Sequence, residues 1–135
     1  MKKIATIIFV LLFIPFFQYI NAQGQDTPPV EFKKISKNLY ELLGGRGANG
    51  GVYIGDNEVL IIDAKMDQNS VDQVINGLKE ITDKPIKYLV NTHSDGDHVS
   101  GNVYFPETTI IISHKNCREE FEILILALRE VDQGT

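Results

Sequence analysis

A single cysteine, Cys117, stands among 135 residues, so no disulfide can close within the chain. Its simplest role is that of a small buried apolar side chain. Positive charge is not in excess either: 13 Lys and Arg face 18 Asp and Glu, for a net charge of −5. A surface of that sign repels phosphate backbones and excludes nucleic acid as an expected partner. No apolar run reaches the roughly 20 residues that span a bilayer. Internal repeats and collagen-like or disordered composition are absent too. With 43% apolar residues, what remains is one globular domain with a modest core.

The first residues carry an address rather than a fold. Lys2 and Lys3 form a short basic region, Ile4 to Phe17 is apolar, and Ile20-Asn21-Ala22 offers a small residue at a cleavage edge before Gln23. Residues 1–22 therefore read as a secretory signal peptide. The rival reading, an uncleaved anchor, is opposed by Pro15 inside the run and by the length of the run. A lipoprotein anchor is disfavoured because no cysteine stands near the cleavage edge. The expectation is export to the periplasm or the extracellular space, with no stable membrane anchor after cleavage. Removing residues 1–22 takes Lys2 and Lys3 with it, leaving 11 basic against 18 acidic side chains and a net charge of −7.

Residues 23–29 form a polar, proline-ended linker, and the domain is expected over 30–135. Val30 to Leu43 alternates loosely, with Ile35, Leu39 and Leu42 apolar, as a first strand or pair of strands would. A formal GxGxxG at Gly45, Gly47 and Gly50 invites a dinucleotide reading, but that fingerprint must open a helix. Here Val52-Tyr53-Ile54 and Val59 to Ile62 flank Gly55-Asp56-Asn57-Glu58, which is a hairpin signal. The glycines more simply turn the chain or let backbone pass close to something.

Val59 to Ile62, Tyr88-Leu89-Val90 and Ile110-Ile111-Ile112 are apolar without alternation, as strands buried on both faces are. Between the first two, Val71, Val74, Ile75, Leu78 and Ile81 repeat at helical spacing over 69–81, with Asp67, Asn69 or Ser70 able to cap the start. Strand, helix, strand is the βαβ pattern of an α/β fold. A last helix is expected over 115–131, with Phe121, Leu124, Ile125 and Leu128 on one stripe. A strand is the alternative for 123–128, which is apolar all round. The two helices can cover one face of the sheet, and the other would then expose an apolar patch through which copies could associate.

The densest chemistry lies in Asn91-Thr92-His93-Ser94-Asp95-Gly96-Asp97-His98, just past the carboxyl end of a buried strand, where α/β sheets build their sites. Imidazole and carboxylate together suit zinc, iron or manganese over calcium. His93 with Asp95 and Asp97 with His98 could serve two neighbouring metals, since Gly96 permits a sharp change of direction between the pairs. An EF-hand reading fails, because its sixth and twelfth positions, counted from Asp95, are Ser100 and Pro106 rather than glycine and glutamate. A solvated turn remains the plain alternative for Ser94 to Asp97.

Asn91 to His98, followed by Gly101-Asn102, resembles the T-H-x-H-x-D-H…G-N signature of the metallo-β-lactamase superfamily. Gly50-Gly51, Leu60-Ile61-Ile62-Asp63 and the helix at 69–81 fall in the family's order, so the resemblance covers about Val30 to Glu122. It implies the first half of an αββα sandwich, a mixed sheet with flanking helices, and a chain truncated before the second half. It also implies that His93 ligates a first metal, that Asp97 and His98 ligate a second, that Asp97 orients the nucleophile, and that Asp63 supports the site. Asp95 stands where the family usually has histidine, and a carboxylate can still bind zinc. The later half of the family supplies further histidine and aspartate ligands, and no histidine follows His114 here. The expected activity is metal-assisted hydrolysis, with one or two zinc ions, of a small-molecule ester, amide, lactone or phosphoester. The alternatives are a metal-binding relic without turnover, and an exported structural domain that binds no metal.

Overall fold

The computed structural model describes residues 27–123. The signal-peptide reading, residues 23–26 of the linker, and residues 124–131 of the last expected helix lie outside the described residues. Among the described residues six strands form one sheet in chain order: β1 (Glu31–Lys34), β2 (Leu39–Leu43), β3 (Gly50–Ile54), β4 (Val59–Ile62), β5 (Ile86–Asn91) and β6 (Ile110–Ser113). The first four run as an antiparallel meander, and β4, β5 and β6 are parallel neighbours. Parallel neighbours need crossovers. α1 (Gln68–Lys79) supplies the first, and α2 (Gly96–Val99), followed by a 3-10 turn (Ser100–Tyr104), lies in the second. Residues 115–123 are helical. Among the described residues no helix is long and apolar enough to cross a membrane.

One face of the sheet carries the core. Leu42, Val52, Val59, Ile61 and Leu89 pack with Val71, Val74 and Leu78 of α1, all at most 2% exposed. Each such side chain contributes on the order of 1.5–3 kcal/mol of transfer free energy. Phe32 of β1 closes the far end of this layer against Gly77, where a Cβ would come within 2.6 Å of the ring.

Several expectations change here. β4 alternates buried with half-buried residues instead of being buried on both faces, because α1 covers only one side of it. Ile110, Ile111 and Ile112 are 47%, 50% and 44% exposed, and β6 is the last strand of the sheet among the described residues. Ile35 lies outside the strands at 54% exposure, in the turn between β1 and β2. Ile81 falls beyond the helix end, where its amide and that of Thr82 both bond the Leu78 carbonyl. Cys117 is buried, as a small apolar residue would be.

Asp67 caps α1: its carboxylate accepts the Ser70 amide at 2.9 Å. That bond, and the Ser70 hydroxyl after it, hold the Asp67 carboxyl below its ordinary value. The depressed value makes the cap's contribution present above the unfolded carboxylate pKa and lost as pH falls through the folded one. Asp67→Ala is expected to cost about 1 kcal/mol near neutral pH. That cost should shrink below about pH 3.9, and urea unfolding of both proteins at pH 7 and pH 3 measures it.

Candidate metal centre

The loop after β5 begins at the carboxyl ends of two parallel strands. Asp63 leaves β4 with φ +57, a left-handed conformation that few side chains adopt and that aspartate tolerates better than most. Its amide is bonded to the Val90 carbonyl of β5 at 2.8 Å, so the turn is locked to the neighbouring strand. This geometry turns the Asp63 side chain, 6% exposed, toward the start of the loop.

There the carboxylate accepts three hydrogen bonds. The Thr92 amide reaches Oδ1 at 2.8 Å, the Thr92 hydroxyl reaches Oδ2 at 2.8 Å, and His98 Nδ1 reaches Oδ2 at 2.9 Å. Counting donors assigns the imidazole tautomers. An ionised carboxylate only accepts, so His98 Nδ1 carries a proton, which in the neutral imidazole leaves the lone pair on Nε2. The Thr92 hydroxyl spends its one hydrogen on Asp63, so it accepts from His93 Nδ1, 2.9 Å away. In the neutral His93 ring the lone pair then also lies on Nε2. A single buried carboxylate orients one imidazole directly and the other through a hydroxyl, the arrangement by which ligand histidines are commonly held.

The two rings touch, with centroids 3.8 Å apart and planes at 53°. Beside them stand the other two expected donors: Asp95 Oδ2 lies 3.4 Å from His93 Nε2, and Asp97 Oδ2 lies 3.5 Å from His98 Nε2. Each imidazole Nε2 thus has one neighbouring carboxylate, Asp95 beside His93 and Asp97 beside His98. His98 is mostly buried, whereas Asp95 and Asp97 are open to solvent. Among the described residues, no three of His, Cys, Asp or Glu form a group able to enclose a metal ion. The donor chemistry fits a borderline divalent cation, with two free imidazole nitrogens and two adjacent carboxylates. The number of donors around one point is short of a closed site.

The loop is not entirely irregular. Residues 96–99 form the helical turn α2, with the His98 and Val99 amides bonded to the Asp95 carbonyl. Asn91 at the end of β5 and Asn102 in the 3-10 turn exchange amide hydrogen bonds at 3.1 and 2.8 Å, closing the loop at its base. Gly101 is required beside them, because a Cβ there would overlap the Lys65 carbonyl. Gly47 shows what the glycine-rich segment does: at φ +109 its backbone runs against Asp97, where a Cβ would lie 2.8 Å from the carbonyl oxygen. The close approach of backbone read from the glycines is therefore directed at the candidate ligand turn.

Several contributors were not visible in sequence. Thr92 reads only as a lead-in to His93, and its position in the T-H pair was the available signal. Glu120, whose carboxylate accepts a hydrogen bond from the Ser94 hydroxyl, comes from the helical segment at 115–123 with no local signal at all. His114 stays apart from the site, accepting the Asn116 amide at the start of that segment.

With this geometry in place, comparison with known proteins gives the family. The model of the metallo-beta-lactamase superfamily matches residues 43–125, more than half of the chain. The chain belongs to the metallo-beta-lactamase superfamily. Its fold is similar to that of FIM-1 from Pseudomonas aeruginosa, a metallo-beta-lactamase solved in a mono-zinc form, with TM-score 0.60 and 19% identity over 66% of this chain and 43% of that one. A metallo-beta-lactamase from Hirschia baltica aligns with TM-score 0.61 and 17% identity over 67% and 46% of the two chains. DIM-1 aligns with TM-score 0.60 and 14% identity over 72% and 47%. This superfamily chain spans less than half the length of these structures, and its six-stranded mixed sheet with flanking helices matches part of their fold. No curated protein matches it.

Asp63→Asn tests the orienting role. The amide has one acceptor oxygen in place of two, so it cannot accept from the Thr92 amide at the Oδ1 position and from the Thr92 hydroxyl and His98 Nδ1 at the Oδ2 position together. Zinc affinity, measured by competition with a chromophoric chelator, is expected to fall about 10- to 100-fold.

Proposed function

We propose that this superfamily member is an exported hydrolase that depends on a divalent metal, zinc by preference. The observation that carries the reading is the shared hydrogen-bond system of Asp63, which leaves the Nε2 lone pairs of His93 and His98 free side by side. A histidine pair with only a structural purpose has no need of a buried carboxylate fixing both tautomers. The zinc form of the similar FIM-1 structure supports the choice of metal.

His93, Asp95, Asp97 and His98 would hold the metal, with Asp63 and Thr92 fixing the two imidazoles. A divalent cation supplies a lowered pKa for a coordinated water and polarisation of a carbonyl or phosphoryl oxygen. Asp97 is half-exposed and adjacent to His98 Nε2, so its free carboxylate oxygen can accept a hydrogen bond from an attacking water and orient it. The exposure of the site on the side of Asp95 and Asp97 suits a small-molecule substrate with an ester, amide, lactone or phosphoester bond. Completion of the ligand set requires further donors, so turnover and metal binding are separable. A metal-binding chain without turnover is the second reading, and the short donor count favours it for these residues taken alone.

His98→Ala separates the readings. If the chain is a hydrolase, wild type should turn over chromogenic ester, lactone or β-lactam probes, chelator should abolish that turnover, and the variant should lose both turnover and zinc. If it binds metal without turnover, only zinc binding falls. If neither property is present in the wild type, the metal reading is wrong.

A further inference from the structure

Lys65 is the largest fully buried side chain of the described residues, at 2% exposure. Lysine is almost never enclosed this way unless it is paired. Its Nζ donates to the Ala48 carbonyl at 2.8 Å, a neutral acceptor in the glycine-rich segment. Burial pushes its pKa down, which means that enclosing this ammonium opposes folding. A methionine of similar length would fill the same space without that penalty, so the ammonium calls for a reason beyond packing.

The neighbours of that one hydrogen bond supply it. The Ala48 amide, on the other side of the same residue, donates to the Asp97 carbonyl at 3.1 Å. The Ala64 amide, next to Lys65, donates to the His98 carbonyl at 2.8 Å. The Met66 amide, on the other flank, donates to the Arg46 carbonyl at 2.8 Å. Three segments are joined at this point: the glycine-rich connection between β2 and β3, the turn after β4, and the turn that carries Asp97 and His98. Backbone hydrogen bonds link each pair of them, and the Lys65 side chain is the strut that fixes Ala48, the residue through which the glycine-rich segment grips Asp97. Gly101 presses on the same turn from behind, against the Lys65 carbonyl.

We propose that Lys65 is a positioning residue for the metal-binding turn: by fixing the Ala48 carbonyl, its buried ammonium holds the Ala48 amide on the Asp97 carbonyl and so sets the direction of the Asp97 and His98 side chains. The inference rests on the metal reading of this site. Lys65 touches neither metal nor substrate; it acts through Ala48. A lysine with only a packing role would affect melting temperature and leave metal affinity alone.

The test uses the full 135-residue chain. Zinc affinity of wild type and Lys65→Met is measured by chelator competition, with far-ultraviolet circular dichroism and melting temperature recorded for both. The variant is expected to fold and to bind zinc about 10-fold more weakly, at the lower end of what supporting residues of metal ligands contribute. Affinity within twofold of wild type, in a folded variant, overturns the inference and leaves the metal reading standing. If Lys65→Met does not fold, nuclear magnetic resonance of the wild-type lysine side chains decides. A Lys65 Nζ signal that moves on zinc addition, while those of exposed Lys37 and Lys79 stay, supports the strut. An unmoved Lys65 signal with shifted His93 and His98 signals overturns it. A wild type that binds no zinc at all defeats the metal reading first and this inference with it.

Discussion

The buried carboxylate of Asp63 is the constraint on which the site depends. It sits at φ +57 in the turn between β4 and α1 and accepts three hydrogen bonds from residues 29 and 35 positions away. Those bonds join the first crossover to the second, so the same group ties the end of β4 to the loop after β5 and directs both imidazoles. Removing a buried acceptor of this kind leaves several donors unsatisfied at once, each at a cost of about 1–3 kcal/mol. The carboxylate is therefore a structural hub before it is a chemical one. What it organises is the availability of two nitrogen lone pairs.

Around that hub the fold divides its labour. The meander from β1 to β4 and helix α1 supply the apolar layer, and the carboxyl ends of β4 and β5 supply the polar one, as parallel strands in α/β sheets regularly do. The glycine-rich segment belongs to both. It connects β2 to β3, and its lack of side chains lets it lie against the Asp97 backbone. Lys65 fastens that contact from inside the protein.

Much of this was legible in the sequence. The βαβ unit followed from the helical spacing of Val71, Val74 and Leu78 between two apolar runs, and the β3–β4 hairpin followed from Gly55 to Glu58. The nearness of His93 to Asp95 and of Asp97 to His98 was legible in their short spacing, whereas Gly96 makes no sharp change of direction and simply begins the helical turn α2. The alternating burial of β4 was hidden, because an apolar run does not say which of its faces a helix will cover. The roles of Thr92, Lys65 and Glu120 were also hidden, since each acts through a partner 17 to 29 residues away and such contacts exist only once the chain has folded. The other face of the sheet keeps Tyr53, Ile110 and Ile112 between 44% and 47% exposed, and the chain spans less than half of the metallo-beta-lactamase structures it resembles.

The proposed function requires that His93 and His98 offer their Nε2 atoms to one divalent cation. X-ray absorption at the zinc edge, on the chain loaded with one equivalent of zinc, reads the ligands themselves. The expected first shell is nitrogen and oxygen at about 2.0–2.2 Å, with outer-shell scattering from two imidazoles and no sulfur. Failure to retain zinc through gel filtration, or a sulfur shell near 2.3 Å that points to Cys117 instead, would contradict it.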